Sequence, residues 1–311
     1  MNKLTDRLIF GASPTMINVL NIVNKVASTE ANILITGENG TGKELIAKEI
    51  HNRSKRAGEL MISVDMGSIS ESLFESELFG HIKGSFTDAR EDRKGKMELA
   101  GNGTLFLDEI GNLSLQSQAK LLNALQNRKI VRVGSNKEIP IDIRLICATN
   151  CDLPSRVGEG RFREDLLYRI NTIHIEVPPL RDRVDDIPIL ANHFLKVYCE
   201  KYNKGPVKIN THALEKLSDH TWPGNVRELQ HSIEKAVIMS DSTVLLPSDF
   251  EFRPASRNVH QAELTLAEME KKLILESLKR HNNNLSVVSA RLGITRQTLY
   301  NKLRKIEKGL S

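Results

Sequence analysis

Apolar residues fall in short continuous runs over the first 178 positions and in a helical rhythm after them. The run Asn32-Ile33-Leu34-Ile35-Thr36 reads as a strand buried on both faces, and residues 60–64 as a second short strand. Thr104-Leu105-Phe106-Leu107 and residues 141–147 predict two more. A glycine-rich turn after the first strand opens a helix over about 43–51. Strands alternating with helices predict an α/β domain on a largely parallel sheet. Pro178-Pro179 ends the alternation. From 184 to 251 the spacing is helical, as in Ile187, Leu190, Phe194 and Val197, and no clear strand is expected. Residues 252–261, which include Arg253-Pro254-Ala255-Ser256, read as a linker, and 264–311 as a small all-helical module.

Composition excludes more than it identifies. With 311 residues, 40% hydrophobic and 27% charged, the chain is neither collagen-like nor disordered, and it is long enough for two or three domains. Apolar runs such as Ile33-Leu34-Ile35 and Val244-Leu245-Leu246 fall far short of the roughly 20 residues of a membrane-spanning helix. Residues 1–10 carry scattered charges and no signal-peptide core. Three cysteines (Cys147, Cys151, Cys199) without CxxC spacing point to a reducing cytoplasm and away from a disulfide scaffold or zinc site. Charge is more informative. Residues 279–311 hold eight basic side chains against the single acid Glu307, a local +7, so the remainder sums to −2. A near-neutral body with a basic tail is the outline of a nucleic-acid binder, although a solvated helical face has the same charge.

The turn after the first strand carries chemistry. In Gly37-Glu38-Asn39-Gly40-Thr41-Gly42-Lys43-Glu44, glycines let backbone N–H groups curl around phosphate oxygens, the helix N-terminus adds a positive dipole end, and Lys43 can reach β- and γ-phosphates. The general pattern asks for Ser or Thr where Glu44 stands, so the spacing alone is weak. A second apolar strand ending in two acids, Leu105-Phe106-Leu107-Asp108-Glu109, strengthens it: Asp108 is suited to hold Mg²⁺ and Glu109 to polarise an attacking water. These residues together predict a nucleotide site.

Several separated blocks then share one pattern. They are residues 35–47, Glu77-Leu78-Phe79-Gly80-His81, Gly84-Ser85-Phe86-Thr87-Asp88-Ala89, Phe106-Leu107-Asp108-Glu109-Ile110, residues 162–169 and Trp222-Pro223-Gly224-Asn225-Val226-Arg227-Glu228-Leu229. In this order they resemble the AAA+ domain of sigma-54-dependent transcriptional activators, a likeness that runs from about Phe10 to the C-terminus. It implies an AAA+ α/β subdomain at 8–178, an α-helical lid at 179–251, a linker at 252–263 and a Fis-type helix-turn-helix domain at 264–311. It also implies a homo-oligomeric ring, usually a hexamer, with ATP and Mg²⁺ bound between subunits. On the matching positions, Gly37, Glu38, Asn39, Gly40, Thr41, Gly42, Lys43 and Glu44 bind nucleotide, and Glu44 fits the family although it fails the general pattern. Asp108 and Glu109 serve the metal and the water, Thr149 and Asn150 form sensor I, Arg227 is the sensor II arginine, and Arg163 and Arg169 are arginine fingers for the neighbouring site. Phe86 and Thr87 correspond to the tip that touches sigma-54. Two departures stand out. The tip reads GSFTDA, with Ser85 and Asp88 in place of alanine and glycine. Asp65 replaces an asparagine thought to hold the catalytic glutamate idle, and an aspartate there would repel Glu109 unless one is protonated or a cation intervenes.

The basic tail has the spacing of a helix-turn-helix over residues 284–303. Ala290 is small where two helices cross, Gly293 permits the turn, and Thr295 can cap the second helix. Val288, Leu292, Ile294, Leu299 and Leu303 form the expected core, which leaves Arg296, Gln297, Asn301 and Lys302 for base edges and phosphates. The module resembles the Fis type, expected to dimerise on two-fold symmetric double-stranded enhancer DNA. Leu8-Ile9-Phe10-Gly11-Ala12-Ser13-Pro14 already resembles the start of the AAA+ domain, so no sensor domain is expected ahead of it. The function expected is a cytoplasmic, DNA-bound ATPase that remodels sigma-54 RNA polymerase, with no membrane partner. A DNA-binding regulator of promoters not using sigma-54 is the alternative, and a clamp loader or helicase would leave the GSFTDA block unexplained.

Overall fold

The computed structural model describes residues 11–86, 89–252 and, nearer the C-terminus, 270–271, 273–274, 277–278 and 284–308. Residues 8–10, Thr87, Asp88 and positions 253–263 of the expected linker lie outside the described residues. The chain divides into two compact units, Met1–Glu251 and Phe252–Ser311.

In the first unit, helix α1 (Pro14–Ala27) is followed by β1 (Ile33–Thr36), α2 (Lys43–Asn52), β2 (Met61–Asp65), α3 (Glu71–Phe79), and the short strands β3 (Gly80–His81) and β4 (Arg93–Lys94). Then come α4 (Lys96–Leu99), β5 (Thr104–Asp108), α5 (Leu115–Asn127), the hairpin β6 (Lys129–Val131) and β7 (Glu138–Pro140), β8 (Arg144–Thr149), α6 (Leu153–Gly158), α7 (Glu164–Ile170) and β9 (Ile173–Glu176). Five strands form one sheet in the order β2-β5-β8-β1-β9, every pair parallel. Alternating residues of each strand serve opposite faces. Ile33 and Ile35 join Phe106, Ile146, Ala148 and Ile175 under α1 and α2, whereas Leu34 joins Leu105, Leu107, Leu145 and Cys147 under α3 and α5. Helices on both faces explain why these strands read as unbroken apolar runs. The chain-order shuffle places the C-terminal ends of β1, β8 and β5 side by side, the crevice where open α/β sheets hold ligands.

The helical portion follows: α8 (Ile187–Lys201), β10 (Lys208–Ile209), α9 (Thr211–Asp219), α10 (Asn225–Met239) and β11 (Val244–Leu245). Two of its features differ from expectation. β10 and β11 pair in parallel, a two-residue ladder too short to show in the hydrophobic pattern. The buried face of α8 is Ile187, Leu190, Ala191, Leu195 and Tyr198, so Phe194 and Val197 sit at its margin and the true stripe is turned by about one residue.

In the second unit, α11 (Leu285–Arg291) and α12 (Arg296–Lys308) close on Ile274 and Leu278. Val288 and Leu299 are fully buried, and Leu285, Leu292, Ile294 and Leu303 pack around them. Gly293 takes φ +65°, and Thr295 caps α12 through Thr298 N–H at 3.2 Å, as the turn requires. Ala290 does not lie at a buried crossing. It is exposed, and Ser289, whose hydroxyl bonds Ser286 O, takes the buried position instead.

Candidate nucleotide site and DNA-reading module

The turn from β1 into α2 depends on backbone shapes open to glycine: Gly40 at φ +79° and Gly42 at φ +104°. Gly42 is the N-cap of α2, so Lys43 starts the helix with its N–H groups facing the crevice. Lys43 is only 7% exposed. Its Nζ donates to Gly37 O at 2.9 Å and Glu38 O at 3.3 Å, so the lysine folds back over its own loop. The same Nζ lies 3.6 Å from Glu109 Oε1.

Glu109 sits just past β5 in a left-handed conformation, φ +53°, uncommon for a side chain with a Cβ. Its second oxygen accepts Asn150 N–H at 3.3 Å, and Asn150 Nδ2 reaches Asn39 Oδ1 at 3.0 Å, which ties the end of β8 to both β5 and the glycine loop. Burial and the neighbouring Glu109 charge, with a smaller contribution from Asp65, push the Asp108 carboxyl above its ordinary range.

These groups line one open cavity of about 670 Å³. Of the positions singled out in the sequence, it brings together Asn39, Gly40, Gly42, Lys43, Glu44, Asp108, Glu109, Asn150 and Arg227. Others stand behind or apart. Thr149 is buried, with its hydroxyl on Cys151 N–H, and Thr41 is buried with its hydroxyl on Glu38 O. Glu38 turns its carboxylate toward the helical portion. Arg163 and Arg169, on and beside α7, do not line the cavity. Arg163 forms a two-pronged pair with Asp165 at 2.7 and 3.0 Å, and Arg169 donates to Leu125 O at 2.9 Å.

Asp65 lines the same cavity as Glu109, and the cation that the sequence allowed for is present as Lys43, beside Glu109. The Asp65 Oδ1 accepts Gly67 N–H at 2.9 Å. Asn112, Arg156 and Gln230 also line the cavity and had no signal in any motif. Arg156 donates to Gly111 O.

The carboxylates Asp65, Asp108 and Glu109 face one cavity, a hard oxygen donor set of the kind that fits a magnesium ion. Among the described residues no group of three or more His, Cys, Asp or Glu side chains is arranged to hold a metal by itself. Magnesium ordinarily takes part of its coordination from phosphate oxygens and water.

The loop that begins at Gly84 is folded on itself and on the β6–β7 turn. Gly84 N–H donates to Ala89 O at 2.8 Å and Ile82 N–H to Val133 O at 3.1 Å. Phe86 is half-exposed and sets its ring edge-on against His81, centroids 4.9 Å apart. The Ser85 hydroxyl is buried without a hydrogen-bond partner, and a Cβ at Gly134 would come within 2.6 Å of Ser85 Cβ.

In the second unit Arg296, Gln297 and Asn301 are exposed along α12. Lys302 departs from expectation: it is partly buried and paired with Glu270, so its charge is already engaged.

Comparison with known proteins matches three families in succession: the Sigma-54 interaction domain at residues 9–176, the AAA+ ATPase lid domain at 181–266, and the bacterial regulatory protein Fis family at 265–305. The transcriptional regulatory protein ZraR of Escherichia coli K12 is 44% identical over 299 residues, covering 95% of this chain and 68% of that protein. The nitrogen fixation protein AnfA of Azotobacter vinelandii is 44% identical over 299 residues, covering 94% of this chain and 56% of that protein. Among solved structures, NtrX from Brucella abortus in complex with ATP superposes with a TM-score of 0.73 at 32% identity, covering 96% of this chain and 69% of that one. No helix among the described residues is long and apolar enough to cross a membrane. With a phosphate-binding turn, an acidic strand end, a helical lid and a helix-turn-helix in the same order as these relatives, the chain belongs to the sigma-54-dependent transcriptional activators, built from an AAA+ domain and a Fis-type DNA-binding domain.

Proposed function

We propose that the chain hydrolyses ATP with Mg²⁺ at the β1–α2 crevice and uses the cycle, as a ring of identical subunits bound to enhancer DNA in the cytoplasm, to remodel sigma-54 RNA polymerase for promoter opening. The observation that carries this reading is the convergence of Lys43, the adjacent Asp108 and Glu109, Asn150 and Arg227 from four separate segments on one cavity. Lys43 and the N–H groups of the loop receive the phosphates. Asp108 would hold the magnesium ion, which would neutralise phosphate charge when bound. Glu109, steadied by Lys43 and Asn150 N–H, is the base for the attacking water. Arg227, from the lid, adds positive charge at the mouth.

Arg163 and Arg169 stand away from this cavity in their own subunit, which suits arginines that act on a neighbour's phosphate; the Arg163–Asp165 pair must then open. Phe86, with Thr87, is the contact offered to sigma-54. Arg296, Gln297, Asn301 and Lys302 are the DNA-facing set, with Lys302 limited by its pairing to Glu270. The DNA-binding units work as a dimer. Open-complex formation by sigma-54 polymerase in vitro tests the reading. ATP should be required, and Thr87→Ala should retain hydrolysis yet lose promoter opening. Opening without ATP, or unimpaired opening by Thr87→Ala, refutes it.

A further inference from the structure

Glu38 is an awkward residue for a phosphate-binding loop: a carboxylate whose own carbonyl oxygen lies 3.3 Å from the phosphate-binding Lys43 Nζ. Two residues from distant parts of the helical portion meet it. Arg181, just after β9, forms a two-pronged pair, Nη2 to Oε1 at 2.7 Å and Nη1 to Oε2 at 2.9 Å. Asn225, at the start of α10, donates Nδ2 to Glu38 Oε2 at 3.0 Å and to Asn39 O at 3.1 Å. Asn225 is fully buried and left-handed, φ +52°, and its Oδ1 accepts Leu180 N–H at 2.7 Å. One amide thus fastens the lid's first turn, its α10 helix and the loop together. Next along, Val226 N–H donates to Gly40 O at 3.0 Å, and buried Arg183 donates to Thr41 O at 2.8 Å. The Arg181 hydrogen bonds hold the Glu38 carboxyl below its ordinary range.

We propose that Arg181 and Asn225 are positioning residues for nucleotide binding: they neutralise Glu38 and turn it toward the lid, keeping its carboxylate away from Lys43 and the loop N–H groups that receive phosphate. This rests on the nucleotide-site reading above and adds a dependence of phosphate affinity on lid placement. Without Arg181, Glu38 competes with phosphate for Lys43 and adds negative charge at the loop. Charge rescue separates this from a merely structural role, because removing Glu38's charge should repair the loss of its partner.

The experiment titrates a fluorescent ATP analogue with Mg²⁺ into the full chain, with a thermal melt of each variant. Arg181→Ala should weaken binding about tenfold, and Arg181→Ala/Glu38→Gln should bind more tightly than Arg181→Ala. Glu38→Gln alone, which alters the loop itself, sets the reference, and the double variant should bind within about threefold of it. Asn225→Asp keeps the acceptor for Leu180 N–H but sets a second carboxylate against Glu38; it should weaken binding and be rescued by Glu38→Gln, an arm that stands if Arg181→Ala fails to fold. A double variant no better than its single partner-loss parent, or weaker than Glu38→Gln by more than that margin, overturns the proposal. Absence of binding by the unaltered chain, or tight binding by Lys43→Ala, would instead overturn the nucleotide-site reading.

Discussion

Single side chains in the sheet and crevice are held by few partners, so their titration is consequential. His51 is buried on α2 with Nδ1 on the Thr104 hydroxyl at 2.9 Å; burial first, and the nearby Arg144 cation second, push its pKa below the ordinary 6.5. The unfolded chain therefore takes up a proton before the folded one does. Its stabilising contribution is complete above pH 6.5 and is lost as pH falls below that value toward the folded pKa. Denaturant melts at pH 7.5 and pH 5.5 should show lower stability at the acid end, and His51→Gln should flatten the difference. An unchanged difference would place the acid sensitivity elsewhere, as at His193 or His220, which burial also shifts down. At the same scale the Asp65 charge persists, since it helps raise Asp108, while Lys43 is the cation that stands beside Glu109.

Elements matter where they press on one another. The N-terminus of α10 abuts the glycine loop so tightly that a Cβ on Gly40 would fall 2.4 Å from Gly224 O, and Gly40 is left-handed besides. Gly40→Ala should cost at least about 1–2 kcal/mol from backbone strain alone and should also weaken ATP binding by displacing α10. Chemical denaturation with a parallel nucleotide titration checks both; loss of neither would mean that the loop and helix yield without cost. In the second unit the core is small, and Leu299 at its centre is completely buried. Leu299→Ala should destabilise that unit by about 2–5 kcal/mol and abolish DNA binding while ATP turnover persists. Loss of turnover together with DNA binding would show the two units to be energetically coupled.

For the whole molecule the question is where the two halves of the chemistry lie. Lys43, Asp108 and Glu109 face the cavity, whereas Arg163, just before α7, pairs with Asp165 and Arg169, on α7, donates to Leu125 O. If the arginines act across a subunit boundary, mixing inactive Arg169→Ala and Glu109→Gln subunits should restore part of the hydrolysis, since some boundaries then pair an intact arginine with an intact glutamate. Activity that stays absent at every ratio would argue for self-contained sites. The same organisation predicts turnover that falls steeply on dilution, readable from specific activity against protein concentration.

What could be read before any fold was known is what local physics enforces. Continuous apolar runs bounded by glycine and acid specify buried strands, a glycine turn before Lys43 specifies a helix start, and Gly293 with Thr295 specifies the turn and cap of the second unit. Those signals sit within a few residues of one another, so sequence order preserves them. The strand order, the turned face of α8, the exposure of Ala290 and the pairing of Lys302 with Glu270 depend on what each element packs against, and only the tertiary structure decided them. The meeting of Arg181 and Asn225 at Glu38 is the clearest case. Three residues far apart along the chain have no shared periodicity, and only docking of the lid on the glycine loop gives a carboxylate its counter-charge.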